Sequence, residues 1–355
     1  MHASRGPHPG RELAGNDRGE GELRSPRTLT DKLTHWANAR RRALAMGNWL
    51  SATALAHEPA TWVIPGEEKL RLGAASKLGE CGSYLIMRRY VSEQHTARLY
   101  SARFCKQHLL CPFCAIRRGA KQIGAYSQKI GVLTGVEYLD AINWDQTQYR
   151  PVMITLTVKN GSNLSERFEH LRKAWRGCLD ARKNDARRST ASTFLSMVEG
   201  GVAAFEVTRS DAGWHPHCHV FALLPRGGYI PQQRISDEWH RRTGDSYIVD
   251  IRQVHGQSVA KSLSEIFKYA LKFSSMSFAD TWLAARELRG RRLVAPFGNL
   301  WGVKVPDDLS EDQLDEAYEE LLYEFIGGSY QQRPLGSPVP VPSNASPIQT
   351  IPVGP

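Results

Sequence analysis

A pair of histidines two residues apart is the first feature of this sequence that indicates chemistry. The segment HPHCH, residues 215–219, is predicted to begin a β-strand. Because side chains alternate between the two faces of a strand, His217 and His219 project from one face while Cys218 turns into the core. Two neighbouring imidazoles supply half of a metal site. His215 has the same parity and is one alternative for a third ligand.

A second stretch carries a carboxylate, a phenol and an ammonium at helical spacing. Glu265 and Tyr269 stand at positions i and i+4, and Lys272 follows Tyr269 by three residues. A tyrosine that attacks phosphorus must lose a proton from a group with an ordinary pKa of about 10, so it needs a metal and nearby cations. Lys268 and Lys272 can supply those cations, and Glu265 can activate water for a second, hydrolytic cleavage. The chemistry indicated is phosphodiester cleavage.

The histidine pair needs a third ligand with a hard oxygen atom to hold the Mg²⁺ or Mn²⁺ that phosphoryl transfer favours. Glu206, on the preceding strand, is the first candidate. A two-residue turn at 211–212 places Glu206 opposite His217, and a turn at 212–213 places it opposite His219. Both registers put the carboxylate on the histidine face.

A cluster of cysteines indicates a second, structural metal site. Four of the six cysteines lie close together, which is typical of reduced metal-binding thiols and not of a disulfide framework: Cys81, Cys105, Cys111 and Cys114. The gap between Cys111 and Cys114 is that of a zinc knuckle. His95 or His108 could replace one thiol, so an all-cysteine site and a site of three cysteines with one histidine both stay open. All four coordination positions of the bound Zn²⁺ would be filled by protein ligands, so the site would be structural and not catalytic.

The charge distribution favours a polyanionic partner. The chain has 355 residues and a net charge of +10, but residues 307–355 carry nine acids and a single base. The remainder therefore holds 45 Lys and Arg against 27 Asp and Glu, a net charge of +18. Such a surface binds nucleic acid because neutralised phosphates release counterions. The bases expected to contact DNA are Arg117, Arg118 and Lys121 beside the cysteines, and Lys268.

Hydrophobic periodicity predicts the order β-α-β-β-α-β, followed by a helix near 258–273. This order gives an α+β fold: an antiparallel sheet of the split βαβ type with helices on one face, preceded by a small cysteine-rich module. The predicted segments are a disordered basic tail at 1–28, a helical segment at 29–75, the cysteine module at 76–125, the sheet domain at 150–305, an acidic helix at 306–327 and a disordered Pro/Ser-rich tail at 328–355. The uncharged run at 43–56 is too short to span a membrane, and the free cysteines favour the cytoplasm.

These motifs together resemble the HUH endonucleases, in particular the single-tyrosine initiators of rolling-circle plasmid replication. The matching blocks appear in the family's order: the cysteines at 105–114, ITLTV at 154–158, the histidine pair, the segment 265–272 and, more loosely, 288–300. The resemblance implies an enzyme that nicks one strand at the plasmid's double-strand origin, forms a 5′-phosphotyrosine adduct at a single-stranded nick site, and later ends replication by a second cleavage for which Glu265 is needed. The resemblance also implies that the protein acts together with a host helicase and DNA polymerase, and it is compatible with a homodimer.

Two other functions stay open from the sequence. Within the same chemistry, the chain could be a relaxase or an HUH transposase, but relaxases usually place their tyrosine ahead of the histidines, whereas Tyr269 follows them. From a different class, it could be a non-catalytic, zinc-dependent regulator that binds nucleic acid. Replacing Tyr269 by Phe would leave a regulator intact and abolish an enzyme.

Overall fold

The central feature of the fold is a five-stranded antiparallel sheet. The computed structural model describes residues 28–55, 66–93, 95–136, 143–254, 258–267 and 276–336. The sheet consists of β3 (Tyr149–Thr157), β4 (Gly200–Ser210), β5 (Gly213–Pro225), β6 (Val249–Gln253) and β7 (Val294–Gly298). Its spatial order is β6-β3-β5-β4-β7, and all four pairings are antiparallel. The α+β prediction is confirmed.

Two helices cover one face of this sheet. They are α4 (Leu164–Arg188), between β3 and β4, and α5 (Gln232–Thr243), between β5 and β6. The helix α4 begins at Leu164, because the side chain of Asn163 accepts a hydrogen bond from the backbone N–H of Glu166. Phe168 of α4 packs edge to face on Phe205 of β4, with 5.9 Å between ring centroids. Cys218 lies on this buried face, so the histidines must lie on the other.

The second face is covered over part of its area by α3 (Pro112–Thr134) and α6 (Ser258–Ile266). Tyr126 stacks on Phe267, with ring centroids 4.9 Å apart, and both pack against the sheet with Phe221. The helix α3 lies so close to the backbone of Phe267 that a Cβ on Gly119 would lie 2.7 Å from the carbonyl oxygen of Phe267. The remaining part of this face carries the histidine pair.

A second, four-stranded antiparallel sheet combines two strands from the first third of the chain with two strands near the end of its described part. It has the order β2-β1-β8-β9, with β1 (Tyr84–Tyr90), β2 (Arg98–Ala102), β8 (Tyr318–Ile326) and β9 (Ser329–Arg333). The helix α1 (Leu29–Leu55) packs against β9, α2 (Glu67–Glu80) packs against α1, and α7 (Phe278–Leu288) contacts α4. Buried residues of both sheets belong to one continuous apolar cluster.

The prediction of an acidic helix at 306–327 is wrong, because its second half is the strand β8. The spacing of Leu314, Tyr318, Leu321 and Phe325 suggested a helix, but the segment lies between two strands and gains cross-strand partners. Glu319 and Glu320 lie opposite two arginines of β1 and form ion pairs with them. Tertiary pairing has overridden the helical pattern.

The predicted disordered tails lie mostly outside the described residues. Residues 1–27 and 337–355 are not described. The start of the C-terminal tail was drawn too early, because residues 329–333 form β9 and pair with β8. None of the described helices is long and apolar enough to cross a membrane.

Glu311 ties the C-terminal segment to three parts of the fold. Its carboxylate lies 3.0 Å from Nζ of Lys32 and 3.2 Å from the guanidinium of Arg117, and accepts a hydrogen bond from the backbone N–H of Leu99. Burial alone would raise the pKa of Glu311, but the attraction of Arg117 and Lys32 and the Leu99 hydrogen bond hold it below its ordinary value.

We expect Glu311→Gln to lower the free energy of unfolding by about 3 kcal/mol at pH 7, because the buried guanidinium of Arg117 loses its charged partner. Since the folded pKa is lowered, this stabilisation is present above the unfolded pKa of about 4.5 and is lost as the pH falls through the folded pKa. Urea unfolding at pH 7 and under acidic conditions measures both effects. Glu319→Gln, at an exposed ion pair, is the control and should cost less than about 1 kcal/mol; an equal loss in both variants would contradict this account.

Candidate active site

The β4–β5 hairpin brings together the residues that the sequence predicted for a metal site. Ser210 pairs with Gly213, so the turn is the two-residue turn at 211–212, and Gly213 accommodates a φ of 104°. This register places Glu206 directly opposite His217. Of the two registers that the sequence allowed, the structure has the one with the turn at 211–212.

The three side chains form a compact group of ligand atoms. An oxygen of Glu206 lies 3.3 Å from Nε2 of His217 and 3.5 Å from Nε2 of His219. One carboxylate oxygen and two imidazole nitrogens are a donor set that suits Mg²⁺ or Mn²⁺, whose ligands at about 2.1 Å are separated by about 3 Å at right angles. Burial would raise the pKa of Glu206, but hydrogen bonds and positive charge from the two histidines hold it well below its ordinary range. The carboxylate is therefore ionised and ready to bind a cation.

Contacts on the far side of each ring orient the two imidazoles. Nδ1 of His219 lies 3.1 Å from the hydroxyl oxygen of Thr155, on the neighbouring strand β3. Nδ1 of His217 lies 3.4 Å from the backbone carbonyl oxygen of His215. Because Nδ1 is engaged in both rings, Nε2 is directed towards Glu206.

His215, the alternative third ligand, makes a different contact. Its Nδ1 lies 2.6 Å from the side-chain oxygen of Asn160, in the loop after β3. It stacks at 5.4 Å from His217 but is not in the group whose ligand atoms lie within 4.8 Å of one another. Among the described residues, Glu206 is the one that completes the histidine pair.

The four cysteines also converge, although they come from three separate elements. Sγ of Cys114 lies 3.4 Å from Sγ of Cys81 and 3.6 Å from Sγ of Cys105, and Sγ of Cys111 lies 3.5 Å from that of Cys81. Zn–S bonds of about 2.3 Å in a tetrahedron separate the sulfurs by about 3.8 Å, so the group is close to the size that Zn²⁺ requires. The thiols are too far apart for disulfides.

The electrostatics of the cluster favour a bound cation. Hydrogen bonds from Cys111, Cys114 and Cys81 lower the pKa of Cys105, while the same contacts raise the pKa of Cys111. Several thiolates this close together repel one another, so their joint ionisation needs a positive charge at the centre of the cluster. The buried Arg40, which donates to the carbonyl oxygens of Leu78 and Gly79, lies beside the cluster and offsets part of its charge.

Of the two zinc ligand sets left open by the sequence, the structure groups the all-cysteine one. His95 is exposed, and neither His95 nor His108 belongs to the group of ligand atoms that lie within 4.8 Å of one another. His108 lines a cleft instead. Burial and the nearby Arg118 lower the pKa of His108.

A cleft of about 1030 Å³ lies between the loop 106–110 and the histidine face. Its walls are α2, the loop 106–110, the first half of α3, the end of α7 and the segment 289–294, and it reaches Glu206 and His219. Of the expected DNA contacts, Arg118 lines this cleft. Arg117 is instead buried against Glu311 and Lys121 pairs with Asp312 at 2.6 Å.

The predicted nucleophile lies outside the described residues. Tyr269, Lys268 and Lys272 all fall in the gap at 268–275. Phe267, two residues before Tyr269, lines the same cleft as His219. Glu265, on α6, accepts a hydrogen bond of 2.6 Å from Arg252 on β6 and does not line the cleft.

Two residues at the site were missed by sequence reasoning. Thr155 holds His219, and its signal was present, because it alternates with the buried Ile154 and Leu156 in the strand ITLTV and so must face the histidines. Asn160 holds His215 from a loop, and nothing in its sequence context indicated that contact.

Comparison with known protein families identifies a match. A family model described as replication protein matches residues 96–325, nearly two thirds of the chain. The range includes both histidines, Glu206, Tyr269 and three of the four clustered cysteines, whereas Cys81 and α2 precede it. Neither a curated protein nor a solved structure matches the chain.

We expect Thr155→Val to weaken Mn²⁺ binding about 10- to 100-fold, because the ring of His219 loses the partner that orients it. Thr155→Ser should restore most of the affinity. Isothermal titration with MnCl₂ measures the change. Thr157→Val is the matched control, since its hydroxyl donates to the carbonyl of Ile248 and not to a histidine; equal weakening by both variants would show that Thr155 has no special role.

We expect Cys111→Ser and Cys114→Ser to remove most of the zinc from the purified chain, because a tetrahedral site loses one of its four thiolates. Elemental analysis of protein purified without chelators measures the content. Cys178→Ala, a buried cysteine in α4 outside the cluster, should retain zinc as the wild type does. A wild-type chain that contains no zinc would refute the assignment.

Proposed function

Because the chain belongs to the replication protein family, the initiators of rolling-circle plasmid replication, we propose that it nicks one strand of plasmid origin DNA through a tyrosine nucleophile. The observation that carries the proposal is the group of Glu206, His217 and His219, two of which, Glu206 and His219, line a basic cleft. A replication protein binds DNA, and a strand bound in this cleft could reach the group.

Each residue of the group has a defined role in the proposed reaction. Glu206, His217 and His219 would hold a Mg²⁺ or Mn²⁺ ion, which supplies the positive charge that polarises the scissile phosphate. Thr155 holds one ring in place, so the site is organised before DNA binds. The group lies recessed in the sheet, with Glu206 and His217 each 8% exposed. Water is therefore partly excluded from the phosphate.

Tyr269 is the proposed nucleophile. Its phenol oxygen forms a bond to phosphorus while the bond from phosphorus to the 3′-oxygen breaks, and the phenol proton passes to the released 3′-hydroxyl. The product is a 5′-phosphotyrosine linkage that conserves the energy of the phosphodiester. Support comes from Phe267, which lines the cleft beside His219, because two residues of chain span at most about 7 Å. Lys268 and Lys272 are proposed to favour loss of the phenol proton.

Glu265 is proposed to serve a second cleavage that ends replication by hydrolysis. Its carboxylate pairs with Arg252 at 2.6 Å, and Glu265 precedes the proposed nucleophile by four residues in the sequence. The zinc cluster is proposed to be structural, since all four of its ligands are protein thiols. The proposal implies work on plasmid DNA in the cytoplasm with a host helicase and polymerase.

The test uses 3′-labelled single-stranded oligonucleotides that tile the DNA flanking the gene, with Mn²⁺. The wild type should give a covalent protein–DNA adduct on a denaturing gel. Tyr269→Phe should give none, and His217→Ala should lower the yield at least about 100-fold, because a metal contributes several kcal/mol to such a step. Glu265→Gln should still form the adduct but release it by hydrolysis about 10²-fold more slowly.

Tyr247→Phe is the control, since Tyr247 is exposed and far from the cleft lining. A wild-type adduct yield from Tyr269→Phe would assign the nucleophile to another residue. DNA binding by the wild type without any cleavage would favour the non-catalytic regulator.

A further inference from the structure

One face of α2 forms a wall of the cleft, although this helix belongs to neither metal centre and precedes the matched family range. Lys69, Gly73 and Lys77 follow one another at intervals of four residues, so they share one stripe of the helix. Both lysines are exposed, and all three residues line the cleft. The stripe faces the route to Glu206 and His219.

The cleft contains several basic side chains that are not neutralised by acidic partners, unlike many bases elsewhere in the described chain. Six of its lining bases have no acidic partner among the described residues: Lys69, Lys77, Lys106, Arg118, Arg289 and Arg292. By contrast, Arg286 at the cleft edge pairs with Glu67 at 2.6 Å. Glu206 is the one carboxylate among the described lining residues. A polyanion entering the cleft would meet positive charge along its whole length.

The lining is better suited to contacts with the DNA backbone than to base stacking. Its rings of Phe205, Phe267 and Trp282 are buried, and the indole N–H of Trp282 donates to Glu67. No exposed aromatic ring among the described lining residues offers a stacking platform. Contacts would be to phosphates, which fix the position of a strand without reading its sequence.

We propose that this cleft binds single-stranded DNA by its phosphates, with the Lys69–Gly73–Lys77 stripe of α2 as one wall, and that it guides the strand to Glu206 and His219. The inference rests on the proposed nicking function and adds the path of the substrate. A single strand fits better than a duplex, because the metal group is recessed and a stiff duplex cannot bend a phosphate into it without a large deformation cost.

Gly73 offers a test that adds charge without disturbing the fold. A Cβ at this position would meet no atom within 4 Å, so a side chain would extend into the open cleft. Either Lys or Glu there is a better helix former than Gly, so both variants should melt no lower than the wild type. The two variants differ in the sign of one charge.

The measurement is the fluorescence anisotropy of a labelled, mixed-sequence single-stranded oligodeoxynucleotide with the full chain in a chelator-free buffer. No Mg²⁺ or Mn²⁺ is added, so that no metal-dependent cleavage occurs and zinc bound by the cysteines is retained. Gly73→Lys should tighten binding about threefold near physiological salt and steepen the log–log salt dependence by about 0.7, and Gly73→Glu should weaken binding by a similar factor. Lys69→Gln with Lys77→Gln should weaken it about tenfold and reduce the slope by about 1.4.

The control is Lys173→Gln with Arg187→Gln, two exposed bases of α4 on the opposite side of the sheet, which should change affinity less than about twofold. Equal effects of the α2 and α4 pairs, or identical affinities of Gly73→Lys and Gly73→Glu, would overturn the cleft assignment. Tighter binding of a matched duplex with the same Gly73 response would overturn the choice of a single strand.

The two proposals fail separately. If the α2 variants shift binding as expected but the wild type forms no adduct with Mn²⁺, the nicking function is refuted and the DNA-binding cleft stands. If adduct forms and the α2 variants bind as the wild type does, the cleft assignment alone is refuted.

Discussion

The register of the β4–β5 hairpin is the constraint on which the candidate site depends. A two-residue turn at 211–212 sets Glu206 opposite His217, and the strand period of two then puts His219 on the same face. Moving the two-residue turn by one position shifts the strand pairing by two residues and keeps the carboxylate on the histidine face. A pairing shifted by one residue would instead turn the carboxylate into the apolar core and leave the histidines without an acidic partner. Gly213 at a positive φ secures the turn. The neighbouring strand β3 adds Thr155, so three strands hold one small group of ligand atoms.

The cysteine cluster has a positional consequence beyond its own stability. It fixes the end of α2, the loop 105–111 and the start of α3, which are also walls of the basic cleft. A bound Zn²⁺ would therefore hold the cleft open at a defined width while taking no part in chemistry. β8 returns to pair with β1, and β9 pairs with β8, which closes the same module. Glu311 fastens the connecting segment to Arg117. Through one shared core, these contacts place α2 relative to the sheet.

Sequence periodicity predicted what depends on local pattern and missed what depends on distant partners. The order of the central strands and the face shared by Glu206 and the histidines follow from alternation and turn length, and the structure bears out that sheet and that grouping. The strand β8 was taken for a helix because its partner, β1, lies more than 200 residues away in the sequence. The cleft could not be predicted either, since its walls come from segments that only tertiary packing brings together.

Diffraction at the manganese absorption edge, from crystals of the Tyr269→Phe chain soaked with MnCl₂ and a single-stranded oligonucleotide, tests the central claim most directly. The account predicts an anomalous peak within bonding distance, about 2.2 Å, of Nε2 of His217, Nε2 of His219 and an oxygen of Glu206. A phosphate of the strand should bind the same ion, and the strand should continue past Lys69 and Lys77. A manganese ion bound elsewhere, or a strand that lies on the α4 side of the sheet, would contradict the account.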